Sequence, residues 1–188
     1  RPCTTCEPKA YRAQTGSQTC TLCPAGRFGV ADESDRSSLD KACQLCPPGK
    51  FVSTTGSSSC QNCPPGSYCD KSGMSVSEPC PVGRYTDEKC QLACQNCPPG
   101  RYQQLMGSAK CHACPNGTDN ALEQSINKTA CLYCAQGKYA REEGMSNCLT
   151  CPSGQYASDT GQTECQVCSD IHGPTYTSNT DKTGCVED

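Results

Sequence analysis

The sequence predicts a small disulfide-rich fold, mostly β and irregular: an elongated rod of about ten stacked hairpin modules with no substantial helix. Three observations predict it. Cysteine supplies 22 of the 188 residues, a density that marks a disulfide scaffold. Leu, Ile, Val and Phe together number 18 and Trp is absent, too little apolar surface for one conventional core to offset backbone ordering in a chain of this length. Cysteine also recurs in a fixed register, the sign of a modular array.

Ten cysteines open the modules: Cys6, Cys23, Cys46, Cys63, Cys80, Cys97, Cys114, Cys134, Cys151 and Cys168. Most openings lie 17 residues apart; the intervals after Cys23 and Cys114 are 23 and 20. Counting from the opening cysteine, Pro follows directly in seven modules and Gly stands at +3 in eight. An aromatic stands at +5 in eight: Tyr11, Phe28, Phe51, Tyr68, Tyr85, Tyr102, Tyr139 and Tyr156. A second Gly stands at +10 in six, and the next cysteine usually falls at +14, where it forms a Cys-x-x-Cys pair with the following module. The division is residues 1–22, then 23–45 with a long loop, 46–62, and 63–96 as an irregular double repeat with extra cysteines. It continues through 97–113, a divergent 114–133, 134–150, 151–167 and a divergent terminal 168–188.

Each position has a physical reading. Pro followed by Gly is a turn signal, with Gly free to take positive φ. Gly56-Ser57 and Gly107-Ser108 read as hairpin turns between two short strands. The aromatic, the largest apolar group of its module, is expected to turn inward and cover the neighbouring disulfide. Position +4 is basic in five modules, at Arg27, Lys50, Arg84, Arg101 and Lys138. Neighbouring side chains of an extended segment point to opposite faces, so an inward aromatic predicts an outward basic stripe, which either simply solubilises the outer face or meets acidic glycans or an acidic neighbour. No segment sustains a 3.6-residue apolar period, which leaves no substantial helix.

The simplest pairing joins each opening cysteine to the one near +14: Cys6–Cys20, Cys23–Cys43, Cys46–Cys60, Cys80–Cys94, Cys97–Cys111, Cys114–Cys131, Cys134–Cys148, Cys151–Cys165 and Cys168–Cys185. A crossed scheme, such as Cys3–Cys20 with Cys6–Cys23, fits the same spacing, and sequence alone does not decide connectivity. The module opened by Cys63 carries Ser77 where its closing cysteine belongs and Cys69 just after its aromatic. Cys63–Cys69 is then a compensating bridge, with Cys69–Cys80 as the alternative. Cys3 has no upstream module to close, and Cys90 takes the turn position that is glycine elsewhere. These two either pair between molecules or with a missing N-terminal segment, or belong to ordinary bridges of irregular segments.

Competing chemistries find less support. Repeated Cys-x-x-Cys is a zinc signal in an intracellular chain, but there are only two histidines, His112 and His172, and 22 thiols do not divide into sets of four. A thioredoxin-like role needs one such motif in an α/β setting. The carboxylates Asp32, Glu33 and Asp35 match no calcium-loop spacing and read as a solvated loop. No catalytic constellation, cofactor motif or metal set is expected. The net charge of −3 argues against a nucleic-acid partner. No stretch approaches the ~18 apolar residues of a membrane span. Arg1, with no signal peptide after it, reads as the start of a processed or trimmed chain. The sequons Asn116-Gly117-Thr118 and Asn127-Lys128-Thr129 make Asn116 and Asn127 N-glycosylation candidates.

The strings CPPGKF, CPPGSYC, CPVGRY, CPPGRY and CPSGQY, each linked to the next by Cys-x-x-Cys, resemble the GCC-type, ephrin-receptor-like cysteine-rich repeat. The Cys-Pro-x-Gly-x-Tyr opening is also similar, more distantly, to modules of tumour-necrosis-factor receptors. The resemblance covers nearly the whole chain and is weakest where Lys9 replaces the module glycine, Asp119 the aromatic, and Ser169 and Ile171 the Pro and Gly of the last module. The segment Cys63 to Tyr85 is similar to a recurrent variant of this repeat, which implies that Cys69 is native to it. The resemblance implies an extracellular or cell-surface glycoprotein, not an enzyme. Near-equivalent modules without a convergent polar site favour a structural role in a surface coat, filament or matrix. The partners would be other copies of itself or other extracellular proteins, and glycans. The alternative is a receptor ectodomain that binds a protein ligand, with the Asp32–Asp40 loop and the Cys63–Cys94 segment as its recognition sites.

Overall fold

The computed structural model describes residues 6–14, 19–30 and 35–187. The fold is disulfide-rich and mostly β or irregular, made of ten two-stranded sheets, each formed by two strands consecutive in the chain. The strands are two or three residues long, and the helical elements among the described residues are Leu39–Ala42, Lys128–Ala130 and Cys168–His172. The first helix lies in the long loop after Cys23, and the last replaces the Cys-Pro turn of the divergent terminal module.

The chain forms two compact units. The first comprises Arg1–Cys80, Thr86–Gln95 and Gly107–Ala109; the second comprises Pro81–Tyr85, Asn96–Met106 and Lys110–Asp188. In the first, Ala10–Tyr11 pairs antiparallel with Thr21–Leu22, Arg27–Gly29 with Cys43–Leu45, Lys50–Phe51 with Gln61–Asn62, and Ser67–Tyr68 with Glu78–Pro79. In the second, Arg101–Tyr102 pairs with His112–Ala113, Thr118–Asp119 with Leu132–Tyr133, and Lys138–Tyr139 with Leu149–Thr150. Gln155–Tyr156 with Gln166–Val167 and Tyr176–Ser178 with Cys185–Glu187 complete it.

Such short sheets are marginal alone. What joins them is a backbone ladder that repeats from module to module. In the first unit the +3 N–H donates to the +6 carbonyl of the next module: Gly26 to Val52, Gly49 to Cys69 and Gly66 to Thr86, at 2.8, 2.8 and 2.7 Å. The +6 N–H donates to the next +11 carbonyl, as Val52 to Met74 at 3.2 Å. The +10 N–H donates back to the preceding opening cysteine, as Gly56 to Cys23 and Gly73 to Cys46, at 2.8 and 2.7 Å. The second unit repeats all three: Gly100 to Asn120 at 2.7 Å, Asn120 to Met145 at 3.2 Å, and Gly144 to Cys114 at 2.8 Å. Because each bond uses main-chain groups, the ladder satisfies buried backbone without demanding a particular side chain.

The close approach does demand glycine at its tightest points. A Cβ on Gly100 would lie 1.9 Å from the Gly144 carbonyl oxygen, and Gly100 has φ +80. No L-residue satisfies both constraints. The +10 glycines sit in turns within longer loops: residues 52–60 separate the paired strands around Gly56. The turn expected at Gly56-Ser57 between two short strands is present, set within a loop that reaches across to the neighbouring module.

The interior also differs from the expected one. The buried position is +6, not the aromatic +5. Val52, Cys69, Thr86, Gln103, Asn120, Ala140 and Ala157 are all at most 2% exposed, whereas the +5 aromatics are only half-buried. Both faces follow from strand alternation, but the +6 backbone bonds one partner in the preceding module and one in the next, and only a compact or self-bonded side chain fits beneath it. Tyr11 packs against the buried Cys23–Cys43 bridge of the next module, as expected of the aromatic, while two other rings meet their cross-strand partners. Tyr102 and His112 have ring centroids 5.6 Å apart, and Tyr68 donates to Glu78 Oε2 at 2.8 Å.

Candidate functional site

Ten disulfides staple the described modules. Nine join an opening cysteine to its own closing cysteine: Cys6–Cys20, Cys23–Cys43, Cys46–Cys60, Cys80–Cys94, Cys97–Cys111, Cys114–Cys131, Cys134–Cys148, Cys151–Cys165 and Cys168–Cys185. The tenth is Cys63–Cys69, with a sequence separation of 6 in place of the usual 14. The opening cysteines are buried, six of them with no exposure from Cys23 through Cys114. Each staple thus serves as much of its module's core.

Cys90 is the one free cysteine among the described residues, and it is exposed. It holds the +10 turn at φ 63, a conformation that favours glycine. Its N–H donates to Cys63 O at 3.0 Å, the same rung that glycine makes elsewhere. Cys3 lies outside the described residues.

The basic +4 side chains do not form a free stripe. Arg27 bonds both Asp40 Oδ1 and Cys43 O at 2.8 Å, and Arg101 bonds Cys111 O at 3.2 Å. In both, the guanidinium bonds the carbonyl of its own closing cysteine. Lys50 and Arg84 are half-buried, and Lys138 is exposed.

The two sequons differ in setting. The Asn116 amide donates to Arg141 O at 3.2 Å, and the buried Thr118 hydroxyl donates to Pro115 O at 2.6 Å. Asn127 caps the short helix Lys128–Ala130 through its oxygen, which accepts from Thr129 N–H at 2.9 Å, and both residues of this pair are exposed.

In the long loop, Asp32 and Glu33 lie outside the described residues. Asp35 accepts from Lys41 Nζ and from Ser37 N–H, and these bonds hold its carboxyl well below the usual carboxylate range. Among the described residues no group of three or more His, Cys, Asp or Glu side chains is placed to hold a metal ion.

The polar members of the +6 column carry no sequence signal. Gln103 Nε2 donates to Lys110 O at 2.7 Å while its Oε1 accepts from Leu105 N–H at 2.9 Å. Asn120 repeats the arrangement with Leu122 N–H at 3.1 Å and adds Ser125 Oγ at 2.9 Å. The Gln103 amide is consumed in closing its own loop, and that of Asn120 also donates to Arg101 O of the preceding module at 3.2 Å, so the column is structural.

Two segments, residues 36–78 and 89–131, match the family model described as tyrosine-protein kinase ephrin type A/B receptor-like. The chain carries ephrin-receptor-like repeats. Each matched segment contains two Cys-x-x-Cys junctions, Cys43/Cys46 with Cys60/Cys63 and Cys94/Cys97 with Cys111/Cys114. Those junctions are where one module's closing strand passes into the next opening turn. A search of the curated proteins found no match. Repeats of this family are non-catalytic extracellular modules. Together with ten disulfides they point to an extracellular protein, since such bridges persist in oxidising compartments. No helix among the described residues is long and apolar enough to cross a membrane.

Proposed function

We propose that the chain is a structural, assembly-type segment of an extracellular protein: a building block of a surface coat, filament or matrix. The observation that carries this reading is the ladder. Successive modules in each unit are joined by the same main-chain bonds while their side chains vary, as Val52, Gln103 and Ala140 do at one position. Such an array supplies reach and stiffness without a specialised pocket. Partners would be other copies of the chain, other extracellular proteins and glycans. Cys90, and Cys3 with it, would provide covalent links between molecules, and Asn116 and Asn127 would carry glycans. Electron microscopy of the purified native material tests the reading: ordered polymers that fall apart on reduction support it, and monodisperse particles under both conditions sink it.

The second reading is a receptor ectodomain, favoured by the receptor-like family that residues 36–78 and 89–131 match. Its recognition surface would lie on the irregular Asp32–Asp40 loop or the Cys63–Cys94 segment. A saturable protein ligand, lost on exchange of the Cys63–Cys94 segment for a regular module, would decide for it.

A further inference from the structure

Three positions meet at each step of the ladder: 0 and +6 of one module and +10 of the next. The +10 N–H bonds the opening-cysteine carbonyl, and the +6 N–H bonds the carbonyl at +11. The occupants are Cys46, Val52 and Gly73 at one step of the first unit, and Cys114, Asn120 and Gly144 at one step of the second. At a single step all three are cysteine: Cys63, Cys69 and Cys90. There Cys90 N–H donates to Cys63 O at 3.0 Å, and Cys69 N–H donates to Gln91 O at 2.9 Å. Gly49 ties the same point together. It donates to Cys69 O at 2.8 Å and accepts from Cys63 N–H at 3.0 Å, and a Cβ placed on it would lie 3.3 Å from Cys90 Cβ. Cys63 and Cys69 are bonded to each other and have no exposure, while Cys90 carries an exposed thiol.

We propose that these three residues form a thiol–disulfide exchange triad. The Cys90 thiolate attacks Cys63 Sγ; the Cys63–Cys90 bond forms and the Cys63–Cys69 bond breaks. Its electron pair leaves on Cys69 Sγ, which takes a proton from water in place of the one Cys90 gave up. One thiol and one disulfide stand on each side, so no oxidant or reductant is consumed. Cys63 is the sulfur attacked because its own carbonyl holds the Cys90 backbone. The new bridge closes a loop from residue 63 to residue 90 instead of one with a separation of 6, and closing the longer loop constrains the unfolded chain more. It also staples two successive modules to each other, which none of the ten disulfides does. The thiol moves from an exposed turn to the buried +6 column, where an apolar setting makes it inert. The two isomers thus differ in whether the segment presents a reactive thiol at all. This inference stands independently of the structural role proposed above.

Proteolysis of the full chain tests it. None of the ten disulfides crosses Lys71, so trypsin cleavage there leaves two disulfide-linked fragments that separate without reductant. The protein is incubated near the ordinary thiol pKa of about 8.5 with a trace of reduced glutathione, then quenched with N-ethylmaleimide and mapped by mass spectrometry. The expected result is a time-dependent fusion of the two fragments through Cys63–Cys90. Native labelling of Cys90 falls in proportion, and label enters Cys69 only after unfolding. Persistence of Cys63–Cys69 with full labelling of Cys90 overturns the proposal, as does a bridge from Cys90 to any other cysteine of the same chain. The Cys69→Ser variant isolates the end state. Incubated with oxidised glutathione as the oxidant, it should form Cys63–Cys90 and lose native Cys90 labelling, and labelling of both Cys63 and Cys90 under those conditions overturns the proposal as well.

Discussion

The modules opened by Cys46 and Cys63 are consecutive in the chain and lie within one compact unit, yet they close differently. The first is stapled across its whole loop by Cys46–Cys60; the second only across its opening turn by Cys63–Cys69. Their ladders are nonetheless the same: Gly49 and Gly66 each donate to the next +6 carbonyl, at 2.8 and 2.7 Å, and Gly73 and Cys90 each donate back to an opening cysteine, at 2.7 and 3.0 Å. The difference teaches that staple and ladder are separable. The ladder sets the geometry of the step, and the disulfide decides how much of the unfolded chain's freedom is removed beforehand.

That separation can be broken from the ladder side, where the largest effect is expected. Gly100→Val places a side chain on a carbonyl oxygen at 1.9 Å and forces a β-branched residue to φ +80. It should cost more than about 4 kcal/mol, in the range reserved for outright structural conflict, read as loss of the native urea transition under non-reducing conditions. Removing staples should cost less. Replacing both Cys46 and Cys60 by Ser should lower stability by about 3 kcal/mol, and replacing both Cys63 and Cys69 by about 2 kcal/mol, from the loop lengths alone. Equal losses in paired urea titrations would show that burial of the cysteines, not loop closure, dominates.

The interior column supplies a smaller test. Gln103→Leu leaves Lys110 O and Leu105 N–H without their side-chain partner and should cost about 1–3 kcal/mol, measured as a shift in urea midpoint with unchanged slope. Gly154→Ala should cost about 1 kcal/mol, the price of left-handed backbone alone, because nothing lies within 4 Å of its Cβ position although its φ is +76. Against Gly100 it separates backbone conformation from steric contact. The smallest effect concerns Asp35. Its folded pKa is depressed by Lys41 and Ser37, so its contribution is present above the ordinary carboxylate pKa and is lost as pH falls through the folded value. The Ser37 amide resonance should therefore hold steady through mild acid and move only in strong acid; movement near pH ~4, the ordinary carboxylate value, would mean that the Lys41 contact is absent in solution.

The module period, the turn glycines and the absence of long helices were legible because each rests on a residue type with one dominant physical use: cysteine to staple, glycine for positive φ, proline to open a turn. Which side of the strand is interior was not legible. The +6 residues Val52, Thr86, Gln103, Asn120 and Ala140 share no hydropathy, size or charge, so no pattern marks them, and the conspicuous aromatics beside them are only half-buried. The basic +4 pattern was legible, but the bonds that tie Arg27 and Arg101 to their own closing cysteines were not, because they depend on where the partner strand returns. The exposed thiol of Cys90 was visible as an oddity of register, but its place beside Cys63 and Cys69 was not, because that contact joins residues 63 and 90 through the ladder.

Sequence by itself determined that this chain is a tandem array of covalently closed β-loops, because local chemistry at fixed spacing needs no knowledge of neighbours. Tertiary structure alone decided what fills the interior, since that depends on main-chain groups of two different modules meeting. It also decided which cysteines share a step, because only the stacked backbone brings positions 0, +6 and the next +10 to one point.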